Sequence, residues 1–280
     1  MRFKLTAIEA QFLIFQQHIF RVNLCNDTNP YSSFPLFFIS PGNNLILPPG
    51  LSLNGCNILA SGSQHKIREA CSMIEELDLA DNSFTDLSEV YKIVSCMPCL
   101  RFLNLSQNDF SAVSSSDIEK LNTESRQLES MKSLVLNNTR VPWVAVNHLL
   151  ESMPNLNELH LSLNNYTSME MDSKARCYPN ITRLYISGNP DLSSFDEVSN
   201  LVSSFPCLEG LTMADCNVSS IPESFESLVP HLQSLNITNW PIGEFIFKIS
   251  VDNFEVTLVL LVIDYPSKAL HTIAVTQLWF

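Results

Sequence analysis

Two places in the sequence carry side chains whose types and spacing could do chemistry. Cys96 and Cys99 form a C-x-x-C, half of a zinc site by spacing, but no second cysteine pair and no histidine pair stands at the distance that four-ligand coordination needs. His160 and Tyr185 fall on equivalent positions of neighbouring segments and could lie side by side, with the imidazole as a proton carrier. A histidine on an exposed strand is more commonly only a contact residue. Seven glycines in 280 residues leave little material for a phosphate-cradling loop. The expectation is a protein without metal, cofactor or catalytic residues, whose chemistry is that of a surface. The side chains expected on that surface are Glu76, Asp78, Asp81, Phe102, Asn104, Ser133, Asn137, Glu158, His160, Arg183, Tyr185, Thr212 and Asn236. Phe102, His160 and Tyr185 are its candidate anchors, because aromatic groups inside a polar rim are what binding hot spots are made of.

The elements that position these residues follow from one spacing. Ile74, Leu77, Leu79, Asn82 and Phe84 are followed by Leu100, Leu103, Leu105, Asn108 and Phe110, which states the leucine-rich-repeat frame twice. Leu77 and Leu79 are two apart, so on a strand they share the inner side, while Glu76, Asp78 and Ala80 are expected to face solvent. The asparagines come where the chain leaves the strand, and their amides can satisfy backbone groups in the turn. Asp86 with Glu89 reads as a capping box opening a helix that Pro98 ends. Ser194 with Glu197, and Ser220 with Glu223, repeat that signal later.

With the central leucine as origin, the frame recurs at Leu51, Leu77, Leu103, Leu134, Leu159, Leu184, Leu211 and Leu235, in steps of 26, 26, 31, 25, 25, 27 and 24. Eight strands of a solenoid (horseshoe) are predicted, an α/β fold with a parallel concave sheet and a mostly helical convex side. The step of 31 places an insertion, around residues 111–130, on the convex side. Thr139, Cys216 and Trp240 take the asparagine position in three repeats, and Trp240 reads as the end of the regular array. In another repeat the last apolar residue shifts by one, to Leu192. The frame divides the chain into residues 1–40, a possible cap without repeats; residues 41–242, the repeat domain; and residues 243–280, an apolar tail with the run Val256–Ile263. That run is too short to cross a membrane. The frame leucines Leu77, Leu103 and Leu159 are expected in the core, where truncation to alanine costs about 2–5 kcal/mol each.

Composition narrows the partners. A formal charge of −13, with 16 Lys and Arg, argues against nucleic acid and against an anionic membrane surface. The eight cysteines are read as reduced, buried thiols of a cytosolic protein, with Cys56 and Cys216 on the asparagine site and Cys99 and Cys207 just before a frame leucine. Asn-x-Ser/Thr sequons begin at Asn26, Asn104, Asn137, Asn165, Asn180, Asn217 and Asn236. The polar residues Glu9, Gln11, Gln16, Gln17 and His18 break up any leader after Arg2 and Lys4, so the sequons read as chance in an Asn- and Ser-rich repeat.

Four strings go beyond the generic frame: LSLNGCNILASGS at 51–63, IEELDLADNSFTDLSEVYKIVSCMPCLRFLNLSQN at 74–108, SLVLNNTRVPWVAV at 133–146 and MPNLNELHLSLNNY at 153–166. They resemble the leucine-rich-repeat region of the tubulin-folding cofactor E family, most of all its cofactor-E-like branch, over residues 48 to about 240. Trp143 after LVLNN and the long step before it make the likeness specific. What the resemblance implies is a cytoplasmic, cytoskeletal, non-enzymatic protein that engages α-tubulin or the tubulin heterodimer, with other tubulin-folding cofactors as further partners. Residues 1–47 do not resemble the CAP-Gly domain that precedes the repeats in cofactor E. Residues 243–280 do not resemble the family's ubiquitin-like domain, so the chain is expected to be truncated or alternatively terminated. The frame by itself reaches only a protein-binding scaffold, for instance one like the phosphatase regulators, and that is the alternative.

Overall fold

The computed structural model describes residues 47–114, 117–118, 128–167, 176–221 and 225–241, with the backbone of 20–22, 38–39, 45–46, 244–251 and 254–261. The chain forms two compact units, Met1–Leu156 and Asn157–Phe280.

In the first unit the strands β1 (Phe20–Val22), β2 (Phe38–Ile39) and β3 (Leu45–Ile46) precede the repeats. The repeat strands are β4 (Gly50–Ser52), β6 (Glu76–Asp78), β7 (Phe102–Asn104) and β8 (Ser133–Val135), and they pair in parallel in that order. Leu51 lies against Leu77, Leu77 against Leu103 and Leu103 against Leu134. In the second unit β9 (Glu158–His160), β10 (Arg183–Tyr185), β11 (Gly210–Thr212) and β12 (Ser234–Asn236) do the same through Leu159, Leu184, Leu211 and Leu235. All eight central leucines are buried in the register that the sequence spacing predicts. Each unit is a run of four leucine-rich repeats.

The strands are only three residues long because the chain bends at the asparagine site. Asn108 shows the reason: its Nδ2 donates to Leu105 O at 2.8 Å in its own repeat and to Leu79 O at 3.0 Å in the preceding one, and its Oδ1 accepts from Phe84 N at 3.1 Å. Asn82 bonds Leu79, Leu53 and Ile58 in the same way. One side chain thus satisfies backbone groups of two successive turns, which water cannot reach. The shortness of the strands corrects one expectation. Ala80 does not face solvent; it lies past the end of β6, where the two-residue alternation no longer applies, and it is buried. Leu192, the shifted apolar residue, is fully buried.

Behind the strands run α1 (Gln64–Cys71), α2 (Leu87–Val94) and α3 (Trp143–Ser152) in the first unit, and α4 (Phe195–Ser203) and α5 (Phe225–Leu228) in the second. The first repeat departs from a purely helical back, since β5 (Ile58–Ser61) comes before α1 and pairs antiparallel with β1. The capping boxes are corrected. Asp86 accepts from Ser88 N at 2.7 Å as an N-cap should, but Glu89 does not reach back to it. Its carboxylate instead accepts from Ser61 N and Oγ, at 2.7 and 2.6 Å, one repeat earlier, where the end of β5 offers an open N–H. Ser194 stands at the N-cap of α4 without a side-chain cap bond, and Glu223 lies outside the described residues. Beyond the parallel strands, β13 (Glu244–Val251) and β14 (Phe254–Leu261) pair antiparallel, and β14 takes in much of the apolar run. Among the described residues no helix is long and apolar enough to cross a membrane.

The seven described cysteines are free. Cys71, Cys96 and Cys216 are buried, whereas Cys56, Cys99 and Cys207 are half-exposed and Cys177 is exposed, so the expectation of buried thiols is corrected for four of the seven, and the asparagine site buries Cys216 but not Cys56 of the first repeat.

Candidate functional site

In the first unit the outward side chains of β6 and β7 are Glu76, Asp78, Phe102 and Asn104, with Glu76 beside Phe102 and Asp78 beside Asn104. The two pairs differ in what they leave available. Asp78 Oδ1 accepts from Ala80 N at 3.0 Å, and its Oδ2 accepts from Ser52 Oγ at 3.3 Å. Asn104 Oδ1 accepts from Ser106 N at 3.0 Å and from its hydroxyl at 2.7 Å. Asx side chains at the last strand position therefore brace the turn that follows. Glu76 and Phe102, two residues earlier on the same face, are exposed and half-exposed respectively. Asp81 is exposed but sits off the strand, in the turn, with φ at +52°.

In the second unit the same two positions carry Glu158 and His160 on β9, and Arg183 and Tyr185 on β10. Parallel register sets His160 beside Tyr185, and the rings stack with centroids 4.1 Å apart and planes 7° from parallel. His160 Nε2 lies 2.8 Å from Glu158 Oε1; a carboxylate only accepts, so Nε2 carries the proton that bridges them. Arg183, exposed, is the cation of this face, and among the described residues no carboxylate lies within 4.0 Å of its guanidinium. Its neighbour on β11 is Gly210, where an added Cβ would stand 3.6 Å from Arg183 Cγ and 3.6 Å from Ser234 Oγ. The structure thus brings the predicted residues together within each unit, as an acidic and aromatic patch in the first and a stacked aromatic pair with a cation in the second. Among the described residues no group of three or more His, Cys, Asp or Glu could hold a metal ion. Cys96, buried at the end of α2, directs its sulfur toward Gln64 O and Lys92 O at 3.4 and 3.3 Å.

One feature of the face is absent from the sequence reading. The residue before the asparagine site is left-handed in all eight repeats: Gly55, Asp81, Gln107, Asn138, Leu163, Gly188, Asp215 and Asn239. Gly, Asp and Asn at six of these positions are the residues that tolerate that conformation, so the signal was present. Leu163 breaks it.

The Leucine Rich Repeat family model matches residues 99–121. The Tubulin-specific chaperone cofactor E-like protein of Rattus norvegicus is 37% identical over 196 residues, 69% of this chain and 44% of that protein. Its Homo sapiens counterpart is 36% identical over 196 residues, with the same coverage of 69% and 44%. The Tubulin-specific chaperone E of Mus musculus is 32% identical over 212 residues, 73% of this chain and 38% of that protein. The chain therefore matches less than half the length of these relatives.

Proposed function

The repeat region of this chain is a leucine-rich-repeat region of the tubulin-specific chaperone E and E-like family, and from that premise we propose that the protein binds tubulin through the outward faces of its repeat strands. The role is non-enzymatic and cytoplasmic: it engages α-tubulin or the heterodimer during folding, dissociation or turnover, and so acts on the microtubule cytoskeleton. The observation that carries this reading is the 37% identity to a tubulin-specific chaperone cofactor E-like protein across the repeats. The faces supply what binding needs, with Phe102 half-exposed beside Glu76 and the His160–Tyr185 stack beside Arg183.

The test is capture of purified tubulin heterodimer by the full chain, wild type against Phe102→Ala and Tyr185→Ala, with circular dichroism to confirm folding. Truncating a hot-spot aromatic costs about 2 kcal/mol or more, so the folded variants should lose roughly 30-fold in affinity. Folded wild type that captures no tubulin, while capturing another protein such as a phosphatase, would hand the faces to the general scaffold reading.

A further inference from the structure

Leu163 is 55% exposed, on a turn, at φ +63°. Leucine gains nothing from either condition: its Cβ is crowded in left-handed backbone, and its apolar surface is left in water. The seven equivalent turns use Gly, Asp, Asn or Gln. The side chain is nevertheless held in place, because it lies over Gly188, the equivalent residue of the next repeat, where an added Cβ would stand 2.4 Å from Leu163 Cδ2. The two residues belong to the same two repeats as the stack. His160 precedes Leu163 by three residues and Tyr185 precedes Gly188 by three, and Arg183 stands two residues before Tyr185 on the same strand face.

We propose that Leu163 is a preorganised apolar contact residue of the second unit, working with the His160–Tyr185 stack and Arg183 to dock a protein surface that offers an apolar recess beside a carboxylate. Strain that persists at an exposed position points toward function, since folding alone favours its removal. The carboxylate follows from charge complementarity: Arg183 forms no ion pair within 4.0 Å among the described residues, because Glu158, its neighbour on β9, turns its carboxylate to His160 Nε2 at 2.8 Å. The inference rests on the tubulin reading, and its probe is accordingly the tubulin heterodimer.

Four variants of the full chain decide it. Leu163→Asn installs the residue found at two equivalent turns, Asn138 and Asn239, and should melt at or above the wild-type temperature while losing at least tenfold in tubulin affinity. Leu163→Gly serves as a second, strain-free replacement with the same expectation. Arg183→Gln should lose several-fold and flatten the dependence of binding on salt. Gln107→Asn, at the equivalent turn of the first unit, should change neither melting nor affinity. If Phe102→Ala weakens binding while Leu163→Asn and Leu163→Gly bind like wild type, the tubulin reading stands and this inference falls. If wild type itself fails to bind tubulin, both fall. Self-association of the wild type that Leu163→Asn abolishes would assign the knob to a second copy of this chain and likewise overturn the proposal.

Discussion

At the scale of single residues, the turn is satisfied by geometry more than by residue type. Trp240 occupies the asparagine site of the last repeat, where the spacing suggests that the regular array stops. In the structure it is buried, and its Nε1 donates to Met213 O at 2.5 Å, the carbonyl equivalent to those that Asn82 and Asn108 reach in their preceding repeats. Cys216 directs its thiol to Ile186 O at 3.7 Å, and Thr139 its hydroxyl to Leu136 O at 2.9 Å. Trp240 and Cys216 reach the preceding repeat and Thr139 the carbonyl of its own, so what the site requires is one donor aimed at a turn carbonyl. Trp240→Phe keeps the ring and removes the donor, so it should cost about 1–3 kcal/mol in urea unfolding by leaving a buried carbonyl unpaired. Asn108→Ala unpairs groups in two turns at once and should cost more than Trp240→Phe. Equal costs would mean that the asparagine's second-repeat bonds contribute little. None of this is legible in the residue names alone, because an indole and an amide look unrelated until their N–H groups are seen to point at equivalent carbonyls.

Whole elements show where pattern reading works and where it stops. The spacing of Leu51 through Leu235 placed each repeat strand and its register, because a strand's inward position is a local property of two-residue alternation. The back of the first repeat was not legible, since β5 and its tie to α2 depend on Glu89 finding Ser61 across 28 residues. That tie also gives a titration signature. Burial by itself would raise the Glu89 carboxyl, but the hydrogen bonds from Lys92 and Ser61 outweigh it and hold the group below the ordinary glutamate range. A carboxyl depressed in the folded state stabilises the fold at every pH above its unfolded value, and that contribution is lost as pH falls through the folded value. Acid unfolding of wild type should therefore show a stability loss below the ordinary glutamate range that Glu89→Gln lacks. Near neutral pH Glu89→Gln should cost about 1–2 kcal/mol, since an amide accepts more weakly than a carboxylate from the buried Ser61 N–H. If the pH profiles of the two proteins are parallel, Glu89 is not the tie between β5 and α2.

Over the whole molecule, each compact unit carries at least one buried thiol, and Cys71 and Cys216 report on the units separately. Burial pushes Cys71 in the first unit up to about 12, with the nearby Cys96 adding to the shift. Burial also raises Cys216 in the second unit, with a backbone hydrogen bond from Asn189 opposing and Asp215 adding. A thiolate-directed reagent at pH 8 should therefore find neither group reactive in the folded chain, whereas Cys177 is exposed. Cys177 should label immediately, and Cys71 and Cys216 only at the rate at which their own units open. In a repeat array each repeat is stabilised by its neighbours, so a cavity made at one central leucine weakens the run around it. Leu77→Ala costs about 2–5 kcal/mol and should accelerate Cys71 labelling by at least roughly 30-fold, one factor of ten for each 1.4 kcal/mol. Leu184→Ala should do the same for Cys216. Peptide mass spectrometry over a labelling time course separates the three cysteines. Wild-type Cys71 labelling as fast as Cys177 would show that the first unit does not keep its core closed.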